Sequence, residues 1–333
     1  MGYRIALIGA GIISQSHLDA LRGMEAFEPV AIADIQEERV KEQAAKYGLR
    51  PYTDYREMVR AEKPDAVAVS LPHFLHKEAA IWCLEEGCHV LLEKPMALNR
   101  EECDAILEAE ERTGRRLLVG HTQHFIPENR KAKELIESGT LGELVMVQDI
   151  RHVRYFTEQR PAWFLEKAKS GGGILMNLGS HSVDKLQWLT GARVTSVKAH
   201  VTHHGSRGDV EGSALAYLQT DRGFAATISL SGYEGVPINE THLLFTKGMI
   251  KLQTRGGLWI SEEGRFREVG WETGKAPFVL QYEAFLRLME TGDAGDCSGA
   301  YARSIVSIIE TAYASAEAGE ELPVPEQPMR SSC

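Results

Sequence analysis

Tyr3-Arg-Ile-Ala-Leu-Ile-Gly9-Ala-Gly11-Ile-Ile-Ser14 opens the chain with an apolar strand that runs into two closely spaced glycines and a helical pattern. A second apolar strand follows and ends at Asp34, twenty residues past Ser14. That order is a βαβ unit of the kind that binds a dinucleotide. Gly9 makes the tight turn, Gly11 lets the backbone approach a pyrophosphate, and the amides of Ile12 and Ile13 at the positive end of the following helix receive it. Asp34 is placed to accept hydrogen bonds from an adenosine ribose. Ser14 replaces the third glycine of the fingerprint and is small enough to keep helix and strand close. A carboxylate at position 34 repels a 2′-phosphate unless a cation such as Arg39 compensates, so the expected cofactor is NAD in preference to NADP.

Outward from this unit, strand and helix patterns keep alternating: amphipathic runs at Glu37 to Tyr47 and Tyr55 to Glu62, a buried-looking strand from Ala66 to Leu71, and a strand from His89 to Glu93. Such alternation predicts a parallel, doubly wound sheet of six strands, complete near residue 120. Beyond it the grammar becomes antiparallel, with strand-like segments separated by short turns such as Thr220-Asp-Arg-Gly223 and Lys247-Gly248. A helix from Ser304 to Ala318 closes the pattern, before a polar tail after Pro325. The fold class is therefore α/β, with a Rossmann domain over residues 1–120 and a second α/β domain over 121–333. This second domain carries a large open, mainly antiparallel sheet and serves substrate binding and oligomerisation. Its open sheet face needs a cover, which predicts a homodimer or homotetramer.

Composition narrows the partners. The 333 residues are 43% apolar and 25% charged, as in a soluble globular protein, and 47 acidic against 37 basic residues give a net charge of -10. That balance disfavours nucleic acid and anionic membranes and leaves a small molecule as the expected ligand. Cys83, Cys88, Cys103, Cys297 and Cys333 are odd in number and lack CxxC spacing, which suits reduced thiols. With no secretion signal or membrane-spanning run in the sequence, the expected location is the cytoplasm. His200, His203 and His204 have no carboxylate or cysteine at ligand spacing, so no metal is assigned.

Two further segments carry chemistry. Glu93-Lys94-Pro95 closes the fifth strand, placing Lys94 at the carboxyl edge of the sheet, where α/β folds bind ligands. A lysine there can hydrogen-bond a substrate hydroxyl, although the position suits a surface ion pair equally well. In Ser170-Gly-Gly-Gly173-Ile-Leu-Met-Asn177-Leu-Gly179-Ser-His181-Ser-Val-Asp184, the residues Asn177, His181 and Asp184 recur at i, i+4 and i+7. They share one helix face, and the glycines let that helix begin close to another domain. His181 can take a hydroxyl proton as hydride leaves the same carbon, or it can be a core histidine partnered by Asp184. Arg151, His152 and Arg154 suit an acidic or hydroxylated substrate or a solvated face, and Trp163 with Phe164 suits a sugar ring or core filling.

These segments, with the Leu71-Pro72 loop and His76, the run Glu86-Gly-Cys-His-Val-Leu-Leu-Glu93-Lys94-Pro95, Gly120-His-Thr-Gln-His-Phe-Ile-Pro127 and Ile308-Ile-Glu-Thr-Ala-Tyr-Ala-Ser-Ala316, resemble the Gfo/Idh/MocA family of NAD(P)-dependent oxidoreductases over nearly the whole chain. The resemblance implies a cleft between the domains that holds nicotinamide and a sugar, inositol or related polyol. It implies Lys94 as substrate-binding and catalytic lysine and His181 as proton-transfer histidine. Leu71, Pro72, His76, Glu93 and Lys94 then lie with the cofactor, and Asn177, Asp184, Arg151 and Trp163 with the substrate. Where the family often has an aspartate, this chain has Asn177, an amide that hydrogen-bonds but neither takes a proton nor stabilises an imidazolium by charge. The expected activity is hydride transfer at a CH–OH group. An NAD-using glycosidase and a non-catalytic NAD or sugar sensor are the alternatives.

Overall fold

The computed structural model describes residues 2–205 and 207–325; the polar tail after Pro325, with Cys333, lies outside the described residues. The chain divides into two compact units, Met1–Phe125 with Gly274–Arg303, and Ile126–Thr273 with Ser304–Cys333. Among the described residues the strands form two main sheets, one in each unit.

In the first unit the order is β1 (Tyr3–Ile8), α1 (Ile12–Leu21), β2 (Phe27–Ala33), α2 (Glu37–Tyr47), β3 (Arg50–Tyr52), α3 (Tyr55–Glu62), β4 (Ala66–Val69), α4 (His76–Glu85), β5 (His89–Leu92), α5 (Arg100–Thr113) and β6 (Leu117–Val119). All six strands run parallel in the order β3-β2-β1-β4-β5-β6, the doubly wound arrangement that the alternation predicts. β4 is Ala-Val-Ala-Val with every residue buried, as a central parallel strand covered on both faces must be. Helix ends follow local chemistry: Asn99 caps α5 by accepting from the Glu102 amide at 2.9 Å, and Gly114 ends it in the left-handed region at φ 67°.

The second unit contributes α6 (Pro127–Glu137), β7 (Leu144–His152), α7 (Lys167–Ser170), α8 (Ser180–Thr190), β8 (Val194–Thr202), β9 (Ser213–Thr220), β10 (Ala225–Ser231), β11 (Ile238–Phe245), β12 (Gly248–Gln253), β13 (Gly257–Glu262) and β14 (Arg265–Glu268). The chain then forms α9 (Pro277–Thr291), α10 (Gly299–Ala318) and β15 (Leu322–Pro323). The second sheet runs β14-β13-β12-β11-β7-β10-β9-β8-β15 and is antiparallel except for the β7–β10 pair. β9 alternates buried and exposed residues along its length, so one sheet face is covered and the other carries exposed Leu215 and Tyr217.

The division at residue 120 needs one correction, because Gly274–Arg303 belongs to the first unit. Its helix α9 buries Tyr282, Phe285 and Leu288, and Phe285 stacks on Phe27 of β2 at 6.2 Å and 7°. The periodicity of α9 marks an apolar face but not which core receives it. Among the described residues, no helix is long and apolar enough to cross a membrane.

One buried carboxylate ties the edge of the first sheet together. Glu62, at the end of α3, accepts from Tyr52 Oη at 2.7 Å, Arg50 Nη1 at 2.8 Å and Arg4 Nη2 at 3.1 Å. Burial raises its pKa, but the hydrogen bonds and charges of these partners prevail and hold it below the ordinary range. A depressed folded-state pKa stabilises above the unfolded value, and that contribution is lost as pH falls through the folded one. Thermal unfolding followed across pH 3 to 7 should show an acid-side loss of Tm that flattens in Glu62→Gln, with the variant and parent converging at the lowest pH.

Candidate active site

The carboxyl edge of the first sheet gathers most of the residues singled out in that half of the chain. β1 ends in Gly9, whose φ of 101° favours glycine and whose added Cβ would lie 2.5 Å from the Ser70 carbonyl oxygen. Gly11 differs, because a Cβ there meets nothing within 4 Å. The protein does not need that glycine for its own packing, and the space above it is open to a ligand. Helix α1 starts there with no side-chain cap and no acidic residue in its first turn, so its positive end is left uncompensated by its own side chains. Ile12 is 93% exposed and Ile35 89%, with Ile13 also exposed, giving an apolar rim around the loop. Asp34 Oδ2 accepts from the Ala10 amide and Oδ1 from the Gln36 amide, both at 2.8 Å. A carboxylate has about four lone-pair sites, so acceptor capacity remains for ribose hydroxyls. Arg39 lies 3.8 Å from Asp34. Ser14, fully buried, donates to the Gly11 carbonyl at 2.5 Å and so braces the loop. An open glycine, an uncompensated helix terminus, an apolar rim and a ribose acceptor fit an adenine dinucleotide.

Leu71 and Pro72 follow β4 and lead through a 3-10 turn, His73–Leu75, into α4. His76 packs into the interior of the first unit. It is fully buried, with Nδ1 2.8 Å from the Pro95 carbonyl oxygen and Nε2 2.8 Å from that of Leu71, and burial lowers its pKa. It therefore ties the loop after β4 to the segment after β5. Glu93 follows β5, with its Oε1 3.1 Å from His17 Nε2 on α1. Lys94 follows at the same sheet edge, and the Lys94–Pro95 peptide is cis.

In the second unit the glycine-led helix is built differently from the expected form. Leu175–Gly179 is a π-helical turn, and regular α-helix begins at Ser180. Asn177 thus sits in a widened turn, the kind of irregularity that recurs at functional sites, while His181 and Asp184 lie on α8. Two of the glycines make room for close packing inside the second unit. A Cβ on Gly172 would come 2.0 Å from Tyr313 Oη, and one on Gly173 would come 2.1 Å from the Glu211 carbonyl oxygen, both within the same unit. Buried Glu211 accepts from the amides of Gly173 and Leu175, each at 2.8 Å, and from Tyr313 Oη at 2.9 Å. No pattern in the sequence marks Glu211, and the Ile308–Ala316 run that contains Tyr313 assigns that residue no role. The available signal was a helix start without a Ser, Thr, Asp or Asn cap, whose amides must find an acceptor elsewhere.

Asp184, expected near substrate, is fully buried instead, with Asp149 and Lys185 at 2% exposure or less. Lys185 Nζ lies 3.1 Å from Asp149 Oδ1, and Thr241 donates to the same oxygen at 3.2 Å. Arg151, half-buried on β7, donates to the Leu178 carbonyl at 3.3 Å and so braces the π turn. Burial lowers the pKa of both Lys185 and Arg151, against the opposing charges of Asp149 and Asp184. Tyr155, which sequence reasoning missed, is fully buried. Burial pushes its phenol up to about 12, opposed by Arg160, whose guanidinium lies 3.9 Å from the ring centre, and by the Asn177 side chain. Trp163 stacks on Phe164 at 3.7 Å and 24°. Arg154 forms an exposed pair with Glu234 at 2.8 Å, which is the solvated-face alternative. Among the described residues, no group of three or more His, Cys, Asp and Glu is placed to hold a metal ion.

Residues 3–121 match the family model "Oxidoreductase family, NAD-binding Rossmann fold", and residues 129–251 match the "GFO/IDH/MocA C-terminal domain". The chain is 30% identical over 235 residues to the myo-inositol 2-dehydrogenase of Thermotoga maritima, covering 68% of each. It is 32% identical over 180 residues to the 1-carboxy-3-chloro-3,4-dihydroxycyclohexa-1,5-diene dehydrogenase of Comamonas testosteroni. That match covers 54% of this chain and 45% of that enzyme, so it spans less than half of the relative. A levoglucosan dehydrogenase solved with NADH shares the fold at a TM-score of 0.90, with 20% identity over 98% of this chain and 100% of that one.

The packing around the glycines makes a stability prediction. Gly173→Ala should cost about 1–3 kcal/mol or more, as an overpacked site that has backbone for its neighbour. Urea unfolding checks this, with Gly139→Ala, whose φ of 68° is unfavourable but whose Cβ meets nothing within 4 Å, as the milder control.

Proposed function

The chain belongs to the Gfo/Idh/MocA family, and from that premise we propose that it is an NAD-dependent oxidoreductase. It would move a hydride between nicotinamide and a secondary hydroxyl or ketone of a sugar, inositol or related polyol. The observation that carries this reading is the meeting, at one edge of a parallel sheet, of an uncapped helix start, a ribose acceptor and a lysine: Gly11, Asp34 and Lys94.

The roles follow from the chemistry of each side chain. The backbone of Gly9, Gly11, Ile12 and Ile13 binds the pyrophosphate, Asp34 the ribose, and Leu71 and Pro72 line the same edge. Bound NAD supplies the hydride acceptor. Lys94 hydrogen-bonds the reacting hydroxyl oxygen and stabilises the charge that develops there. His181 takes the hydroxyl proton as the hydride leaves the carbon, and returns it in the reverse direction. Asn177 binds substrate by hydrogen bonding alone, supported by Tyr155 behind it, and Trp163 offers a ring face to a sugar.

The open face of the second sheet, with Met146 39%, Tyr217 44% and Leu215 60% exposed, supports a homodimer or homotetramer formed through that face. Buried Cys83 and Cys88, whose thiols are pushed far up by burial, with Cys88 at about 12, accord with a reducing cytoplasm.

Two measurements test the reading. Calorimetric titration in parallel should give NAD at least ~10-fold tighter than NADP, about 1.4 kcal/mol, with the preference narrowed in Asp34→Ser. Equal affinities would mean that Arg39 overrides Asp34. Lys94→Met should lower kcat on the order of 10³-fold on a responsive polyol while NAD still binds, and full turnover in that variant would remove the lysine from the mechanism.

A further inference from the structure

The segment between β7 and α7 holds an arginine that the proposed roles leave unused. Arg160 is half-buried, its Nε donates to the Tyr155 carbonyl, and its guanidinium lies 3.9 Å from the Tyr155 ring centre and 5.1 Å from that of Phe164. Phe164 in turn stacks on Trp163, the residue that offers a ring face to a sugar, so the cation and three rings form one continuous stack. Among the described residues no carboxylate stands within ion-pair distance of this guanidinium. The acids of the surrounding segments are engaged elsewhere: Glu166 with Lys169 at 2.6 Å, Asp209 with the Lys167 amide at 2.7 Å, Glu211 with the Gly173 amide and Glu234 with Arg154. Glu158 is exposed. Nε–H is spent on the backbone, which leaves the fork of Nη1 and Nη2 for another acceptor. The stack stands beside the π turn that carries Asn177. Arg151 donates to the Leu178 carbonyl, and Tyr155 Cβ and Ile174 Cδ1 meet over Gly232, where an added Cβ would lie 2.6 Å and 3.4 Å from them.

We propose that Arg160 is a specificity-determining residue that binds a carboxylate of the substrate through its free Nη fork, which narrows the substrate class to polyols bearing a carboxylate, such as uronic or aldonic acids. The inference rests on the oxidoreductase reading given above and names the substrate class of that same site. A planar carboxylate matches the fork with two parallel hydrogen bonds, and the aromatic surroundings strengthen such a pair by excluding water. A phosphate dianion has charge and acceptors for more donors than one arginine brings. Burial without a counter-charge lowers the pKa of Arg160, opposed only by Tyr155, and a bound carboxylate supplies the charge that the fold withholds. The net charge of -10 gives no long-range attraction to an anion, so its recognition falls to this local contact.

The test is calorimetric binding, to the full chain loaded with NADH, of sugars paired so that a carboxylate replaces one hydroxymethyl group: D-glucuronate against D-glucose, D-galacturonate against D-galactose, and D-gluconate against D-glucitol. At least one carboxylate should bind ~10-fold or more tightly than its neutral partner, as a bidentate charged pair allows. In Arg160→Gln that preference should vanish while NADH affinity stays within about twofold. The glutamine amide nitrogen falls where Nε does, so the bond to the Tyr155 carbonyl is kept and only the fork is lost. Arg160→Lys, charged but without the fork, should keep a reduced preference, and it takes the place of Arg160→Gln if that variant does not fold. Three outcomes overturn the proposal: no carboxylate bound more tightly than its partner by the parent chain, a preference undiminished in the folded variant, or D-glucose 6-phosphate bound more tightly than every carboxylate. Binding needs no turnover, so the two readings fail separately. Carboxylates held through Arg160 but never oxidised by NAD would sink the oxidoreductase reading and leave the subsite. Neutral polyols oxidised with no carboxylate preferred would sink the subsite alone.

Discussion

All six strands of the first sheet run the same way, so the chain leaves every one of them at the same edge. That constraint puts Gly9 and Gly11 after β1, Asp34 after β2, Leu71 and Pro72 after β4, and Lys94 after β5 into one row, although up to eighty-five residues separate them in sequence. No side chain has to be recruited for this; parallel pairing is enough, provided that each crossover is long enough to return the chain to the opposite edge. The hydrogen bonds at the edge then lock neighbouring loops to one another. Asp34 holds the Ala10 amide, and His76 bridges the carbonyls of Leu71 and Pro95. Burial of these groups makes the bonds expensive to break, because a stranded buried donor or acceptor carries its full desolvation cost.

The second unit solves a different problem, that of starting a helix without a cap of its own. The amides of Gly173 and Leu175 find their acceptors on the Glu211 carboxylate, and the glycines are what allow its backbone and the Tyr313 hydroxyl so close. Further along, Asp149, Arg151, Asp184 and Lys185 place two charges of each sign between β7 and α8. Such groups seldom add net stability over apolar residues of the same size, but they penalise any register of α8 against β7 that leaves one of them without its counter-charge. The helix that carries His181 is thus fixed in rotation by electrostatics as well as by packing.

Much of this could be read from local pattern. Apolar period two or near-continuous burial marked the strands, period 3.6 the helices, and glycine spacing with Asp34 the nucleotide loop, because each depends only on residues within a turn or two of one another. Ser14 departed from the fingerprint, and the structure gives it a bond to the Gly11 carbonyl that glycine could not make. Position near a motif does not say which way a side chain faces: His76 and Asp184 are buried within their own units, while Glu93 keeps one oxygen on His17. Likewise α9 has an ordinary amphipathic pattern, and only packing of Phe285 on Phe27 assigns it to the first unit.

The sequence by itself therefore determined the order of elements, the parallel-then-antiparallel grammar, and the placement of Gly9, Gly11, Asp34 and Lys94 at a sheet edge. Spacing along a chain dictates which residues share a face or an edge. Tertiary structure alone decided that Glu211 caps the glycine-led helix, that the turn holding Asn177 is π-helical, and that His17 and Tyr282 stand behind Glu93. Each of those outcomes pairs groups separated by tens to hundreds of residues. A buried donor or acceptor is satisfied by whatever the fold brings within about 3 Å, and no local spacing records that choice.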